Sequence, residues 1–241
     1  MKYLSRIMIA FTAGMLLALS FTACANTPPQ GAAPSSSADP PAVSAGDKAE
    51  ETEQTLPPPA DDAFVLVTDY IPEIQVELKY ATDDNFTNTV IYDFSDAYLR
   101  YGTVKKLAAA EKIVSAEGYT LKIWDAFRPT DAQYKLWEIC PDPVYVSNPN
   151  NGFSSHSRGN TVDVTLVYTD GSSLEMPTGF DDFSAKADRD YTDVPASAAE
   201  HASYLESVME SCGFKPYSGE WWHFSDTDSY DVAEDFNPGS H

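Results

Sequence analysis

The spacing of apolar positions changes several times along the chain. From Ile7 to Phe21 they run almost unbroken, whereas from Ala25 to about Ala60 bulky apolar residues nearly vanish. From Asp61 onward the periodic patterns of a folded unit begin. Ile74, Val76, Leu78 and Tyr80 alternate with polar neighbours, the two-residue period of a half-buried strand. Val104, Leu107, Ala108 and Val114 keep helical spacing, and Gly118 closes that helix. Tyr119–Trp124 reads as a strand, and Thr130–Ile139 as a short helix after the Arg128-Pro129 break. Val162–Tyr168 alternates again with β-branched residues prominent. Ser197-Ala-Ala-Glu200 has the form of a capping box opening a helix that ends at Cys212-Gly213. Phe214–Tyr217, a Ser218-Gly219 turn and Glu220–Phe224 form a terminal hairpin. Strands and helices do not alternate regularly. The pattern therefore predicts an α+β fold with a mixed, largely antiparallel sheet and flanking helices.

Composition separates the N-terminal part from this domain. Lys2 and Arg6, the apolar run and the small residues Thr22-Ala23 read as an export signal over residues 1–23. The run is short for a membrane span. Cys24 directly after the small pair resembles a bacterial lipobox, in which the thiol is diacylated and becomes the mature N-terminus. Residues 24–60 turn to Pro, Ala, Ser, Thr and Glu and have too little to bury, which predicts a disordered tether. The expected address is extracytoplasmic, with residues 61–241 as one domain held to the bacterial cell membrane by lipid. The formal charge of −22 argues against nucleic acid, whose phosphates want Lys and Arg, and against electrostatic docking to anionic headgroups. No obligate protein partner is evident. Cys140 and Cys212 are left either as a disulfide, which export allows, or as free thiols.

Two segments look suited to metal. Ser154-Ser155-His156-Ser157-Arg158-Gly159-Asn160-Thr161-Val162-Asp163 sets His156 in a polar loop and Asp163 at the start of an apolar strand. A carboxylate there is costly unless paired or bound to a cation. Glu220-Trp221-Trp222-His223 again puts a carboxylate and an imidazole among bulky apolar residues. Two His and one Asp would leave a tetrahedral zinc one open position, the pattern of a catalytic site. Glu220, outside that ligand set, is the candidate base. On spacing alone, isolated His and Asp near strands are more often hydrogen-bonded structural groups. His201 reads as a surface residue of its helix, and the tryptophans as core and pocket wall.

Ser-x-His-x-x-Gly-x-x-x-Asp followed by Gly-Glu-Trp-Trp-His resembles the VanX-type D-alanyl-D-alanine dipeptidases, zinc enzymes related to D,D-carboxypeptidases. Tyr80-Ala81-Thr82, Asp84-Asn85-Phe86 and Asp125-Ala126-Phe127-Arg128-Pro129 extend the likeness over nearly all of the domain. The resemblance implies one zinc per chain on His156, Asp163 and His223, with Glu220 as catalytic base and Arg128 stabilising the oxyanion. It further implies Ser154 at the substrate's carboxylate and Tyr80 and Asp181 near its amino end. Thr161 stands where a small residue such as Ala is usual.

The expected activity is zinc-dependent hydrolysis of D-Ala-D-Ala or a related D,D-dipeptide in cell-wall turnover. The alternatives are a D,D-carboxypeptidase on peptidoglycan stem peptides and a non-catalytic cell-wall-binding lipoprotein. An exported enzyme cannot reach a cytoplasmic dipeptide pool, which points to turnover or scavenging and away from antibiotic resistance.

Overall fold

A computed structural model of the protein describes residues 57–240. The export signal, Cys24 and most of the tether lie outside the described residues, as does His241. In chain order the elements are β1 (Phe64–Leu66), α1 (Val67–Tyr70), β2 (Gln75–Val76), β3 (Tyr98–Arg100), α2 (Tyr101–Ala116), β4 (Tyr119–Asp125), α3 (Thr130–Ile139), β5 (Thr161–Tyr168), α4 (Ala196–Ser211), β6 (Phe214–Tyr217) and β7 (Glu220–Asp226). Short 3-10 turns sit at Lys79–Ala81 and Ser155–Arg158.

Five strands form the main sheet in the order β2-β4-β5-β7-β6, while β1 and β3 make a separate antiparallel pair. Only β2 runs parallel to its neighbour; β4, β5, β7 and β6 pair antiparallel throughout. The fold is thus α+β with a mixed, largely antiparallel sheet. Every residue of β5 from Thr161 to Val167 is buried, as befits a central strand. Helices α2 and α4 pack against the sheet and each other through Val104, Leu107, Val114, Leu205 and Met209, all nearly inaccessible. Among the described residues no helix is long and apolar enough to cross a membrane.

Two local expectations need correction. The alternation from Ile74 to Tyr80 yields only two paired residues, because the chain turns into 3-10 geometry at Lys79–Ala81. The alternation reflects burial of Ile74, Leu78 and Tyr80, not a long ladder. The capping box is also absent. Pro195 occupies the N-cap of α4, and Ser197 lies inside the first turn with its hydroxyl donated to Glu175. Cys140 and Cys212 are free thiols at the C-caps of α3 and α4.

Candidate active site

Sheet register does much of the assembly. Asp125 at the end of β4 is paired with Asp163 on β5, and Asp163 with His223 on β7. Directly paired residues share a face, so three strands present one row of polar side chains. His156 joins the row from the 3-10 turn before β5. That turn ends at Gly159, whose φ of +73° favours glycine and whose missing Cβ would lie 2.4 Å from the Phe64 ring.

His156 Nε2 is 3.3 Å from Asp163 Oδ2, His223 Nδ1 is 3.0 Å from Asp163 Oδ1, and the two imidazole nitrogens face each other at 3.4 Å. The candidate ligand atoms all fall within 4.8 Å of one another. His156 Nδ1 lies 2.8 Å from the Ala126 carbonyl, an acceptor only, so this nitrogen carries the proton and Nε2 turns its lone pair to the cluster. Asp163 Oδ1 is buried and receives no hydrogen bond, despite its short distance to His223. A buried carboxylate oxygen without a donor, beside two imidazole nitrogens, is a donor set fitted to a divalent cation. Burial alone would push the Asp163 carboxyl up, but the adjacent imidazoles hold it well below the usual carboxylate range. Burial would likewise lower His156; the carboxylates of Asp163 and Asp125 outweigh it and raise that imidazole.

The cluster opens into a cavity of about 320 Å³ lined by all eight of the residues singled out within the domain: Tyr80, Arg128, Ser154, His156, Asp163, Asp181, Glu220 and His223. Glu220 Oε2 is 3.6 Å from His223 Nδ1, close to the cluster without belonging to its ligand set. Burial, then the charge of Asp163, raise its carboxyl above the ordinary value. Arg128 is clamped from behind. Its Nε and Nη2 donate to Asp125 Oδ2 at 3.2 and 2.6 Å, and Nη1 donates to Gln133 Oε1 at 3.0 Å. Three of the five guanidinium N–H groups are thereby used, leaving two for a cavity occupant. Although burial alone would lower Arg128, the charge of Asp125 keeps it firmly protonated.

At another part of the wall Tyr80 donates its hydroxyl to Asp181 Oδ2 at 2.8 Å. Burial pushes the Asp181 carboxyl up to about 8, and the negative charges of Asp163 and Glu220 act in the same direction. Burial, followed by the Asp181 charge, also raises Tyr80 well above its ordinary value. Ser154 accepts the His156 backbone N–H at 3.4 Å and caps the 3-10 turn. His201 lies outside this cavity, half-buried, with Nδ1 2.8 Å from the Glu175 carbonyl. Trp221 and Trp222 are buried in the core.

Sequence reading missed Asp125, which anchors Arg128, accepts the Tyr92 hydroxyl at 2.7 Å and stands beside Asp163 in the row. Its signal was present: a carboxylate ending an apolar strand, three residues before an Arg. Gln133 gave no such signal, being one polar residue among several on a short helix.

A family model described as D-Ala-D-Ala dipeptidase, of the M15 peptidases, matches residues 61–238. The D-alanyl-D-alanine dipeptidase of Escherichia coli (strain K12) is 39% identical over 153 residues, covering 64% of this chain and 79% of that protein. The enzyme of the same name from Streptomyces coelicolor is 33% identical over 186 residues, covering 67% of this chain and 90% of that one. That of Enterococcus faecium is 29% identical over 181 residues, with the same two coverages of 67% and 90%.

Proposed function

The chain belongs to the D-Ala-D-Ala dipeptidase family of M15 peptidases, and we propose that it hydrolyses D-alanyl-D-alanine or a close D,D-dipeptide outside the cytoplasm, with one zinc held by His156, Asp163 and His223. The observation that carries this reading is the convergence of two imidazoles and a donorless buried carboxylate oxygen beside the separate carboxylate of Glu220. Zinc bound there would supply Lewis acidity and an activated water at neutral pH. Glu220 takes the proton of the attacking water and returns it to the leaving nitrogen as the amide bond breaks. Arg128, fixed by Asp125 and Gln133, meets the negative charge that grows on the carbonyl oxygen with its two remaining N–H groups. Ser154 receives the substrate's terminal carboxylate. Asp181, oriented by Tyr80 and raised by burial, releases its proton to solvent as it pairs with the substrate's free ammonium, whose positive charge favours the carboxylate.

The ammonium contact separates a dipeptidase from a carboxypeptidase trimming stem peptides. Kinetics of the zinc-loaded protein on D-Ala-D-Ala, N-acetyl-D-Ala-D-Ala and a stem pentapeptide test it. Loss of a charge-assisted hydrogen bond worth roughly 1.5–3 kcal/mol lowers kcat/KM for the acetylated compound by about 10- to 150-fold. Equal or better cleavage of the acetylated compound or the pentapeptide would transfer the assignment to the carboxypeptidase. Glu220→Gln in the same assay should keep its zinc and lose on the order of 10²-fold in kcat. Retained activity in that variant removes Glu220 as the base.

A further inference from the structure

Glu220 and His223 are three positions apart on one strand, a spacing that in regular β geometry points them to opposite faces. Yet both line the cavity, while Trp221 and Trp222 between them are buried in the core. The reconciliation is a bulge. On β6, Pro216 and Tyr217 are adjacent, but their partners on β7 are Phe224 and Glu220, so residues 221–223 face no residue of β6. A bulge re-aims side chains at the cost of ladder hydrogen bonds. The carbonyls along the gap then need other donors.

At the ends of the stretch one side chain supplies such donors. Arg189, in the segment before α4, donates Nε to the Tyr217 carbonyl at 2.7 Å and Nη2 to the carbonyls of Glu220 and His223, each at 3.0 Å. It bridges both lips of the gap and both ends of the displaced stretch. Its guanidinium lies 4.6 Å from the Phe224 ring centre, and Nη1 donates at 3.0 Å to Glu206 Oε2 on α4. The Tyr191 hydroxyl donates to the same oxygen at 3.2 Å. The Arg189 side chain is about nine-tenths buried and is not among the residues lining the cavity.

We propose that Arg189 is a positioning residue: it fills the bulge in β7 and thereby holds the base Glu220 and the ligand His223 on the same side of the strand. The proposal rests on the zinc-peptidase reading of the cavity. A planar fork with five donors can satisfy three separated carbonyls and a carboxylate together; a lysine ammonium, whose donors radiate from one atom, cannot. A buttress that merely stabilised the hairpin would affect melting alone. One that sets the geometry of His223 and Glu220 also affects metal affinity and turnover.

The test compares full-length parent and Arg189→Lys for zinc affinity by chelator competition, for kcat and KM on D-Ala-D-Ala, and for melting temperature, with the first two measured well below melting. Arg189→Lys should weaken zinc binding by about 10- to 100-fold, as loss of groups supporting a ligand does. It should lower kcat by about 10-fold or more with KM little changed, as expected for contacts that mature in the transition state. Zinc affinity and kcat both within about two-fold of the parent, whatever the melting temperature, would overturn the proposal. Glu206→Gln and Tyr191→Phe loosen the guanidinium without removing its bonds to β7, and carry the test if Arg189→Lys does not fold. Each should shift zinc affinity and kcat in the same direction by less, and two unaffected variants would overturn the proposal. A parent that neither binds zinc nor cleaves the dipeptide would sink the reading of the cavity itself. A fully active parent beside an unaffected Arg189→Lys would sink only the role of Arg189.

Discussion

Asp181 concentrates several costs in one residue. It is half-buried in the cavity wall, its φ of +54° lies in the left-handed region, and it accepts a hydrogen bond from the buried Tyr80. Unfavourable backbone and electrostatics at one position are expected where a site is prepared for a charged ligand. The carboxyl, pushed up to about 8 in the folded protein, would titrate near 4 in the unfolded chain. Between those values the native state holds a proton that the unfolded chain has released. This contribution to stability is therefore complete below about pH 4, declines as pH rises, and is exhausted above about 8. Asp181→Asn keeps an acceptor for the Tyr80 hydroxyl and cannot ionise. Measured with chelator present, its melting temperature should rise relative to the parent between pH 5 and pH 9. A difference that stays flat over this range would mean that Asp181 does not titrate as its burial dictates.

At the scale of elements, the site depends on register and on one tight turn. Gly159 ends the 3-10 turn that carries His156 and leads into β5 with Asp163. Gly159→Ala would force a side chain into the left-handed region and against Phe64, whose ring atom lies 2.4 Å from the new carbon. The expected loss is about 1–3 kcal/mol by denaturant titration, together with weaker zinc binding, since turn and ligand move as a unit. Full stability and full zinc affinity would show that the turn accommodates a Cβ. Much of this level was legible in the sequence. Helical spacing located α2, β-branched alternation located β5, and the Ser218-Gly219 turn located the β6–β7 hairpin. The His156 and His223 segments stood out because polar groups there interrupt apolar runs. What was hidden was pairing between segments distant in sequence. The row Asp125–Asp163–His223 is a product of register across three strands. The β7 bulge is hidden for the same reason, since Glu-Trp-Trp-His has no local feature that reveals three residues without partners on β6. Arg189 stabilises backbone carbonyls, which any sequence possesses, and so leaves no signature of its own. The capping box failed through competition: Ser197 found Glu175, and Pro195 took the cap position.

At the scale of the whole molecule, the net charge opposes the membrane association that we propose for a lipid on Cys24. A net charge of −22 repels anionic headgroups, so nothing electrostatic would hold this chain to a bacterial membrane surface. Membrane association, if it rests on Cys24, is purely hydrophobic: two or more acyl chains bind stably where one does not. In that proposal the Pro- and Ser-rich composition up to about residue 60 would suit a spacer between the lipid and the domain. This arrangement has a distinctive salt response. Screening at about 1 M salt, where the Debye length shrinks to about 3 Å, releases proteins bound by charge and leaves lipid-anchored ones in place. The parent should therefore sediment with membranes through a high-salt wash and enter the supernatant only with detergent. Cys24→Ser, lacking the thiol that would be acylated, should appear in the soluble fraction or remain as an unprocessed precursor. Release of the parent by salt alone, or processed and membrane-bound Cys24→Ser, would rule out the lipid anchor. The first result would also require a basic partner on the membrane, because the charge of this chain leaves no direct electrostatic route to the lipid.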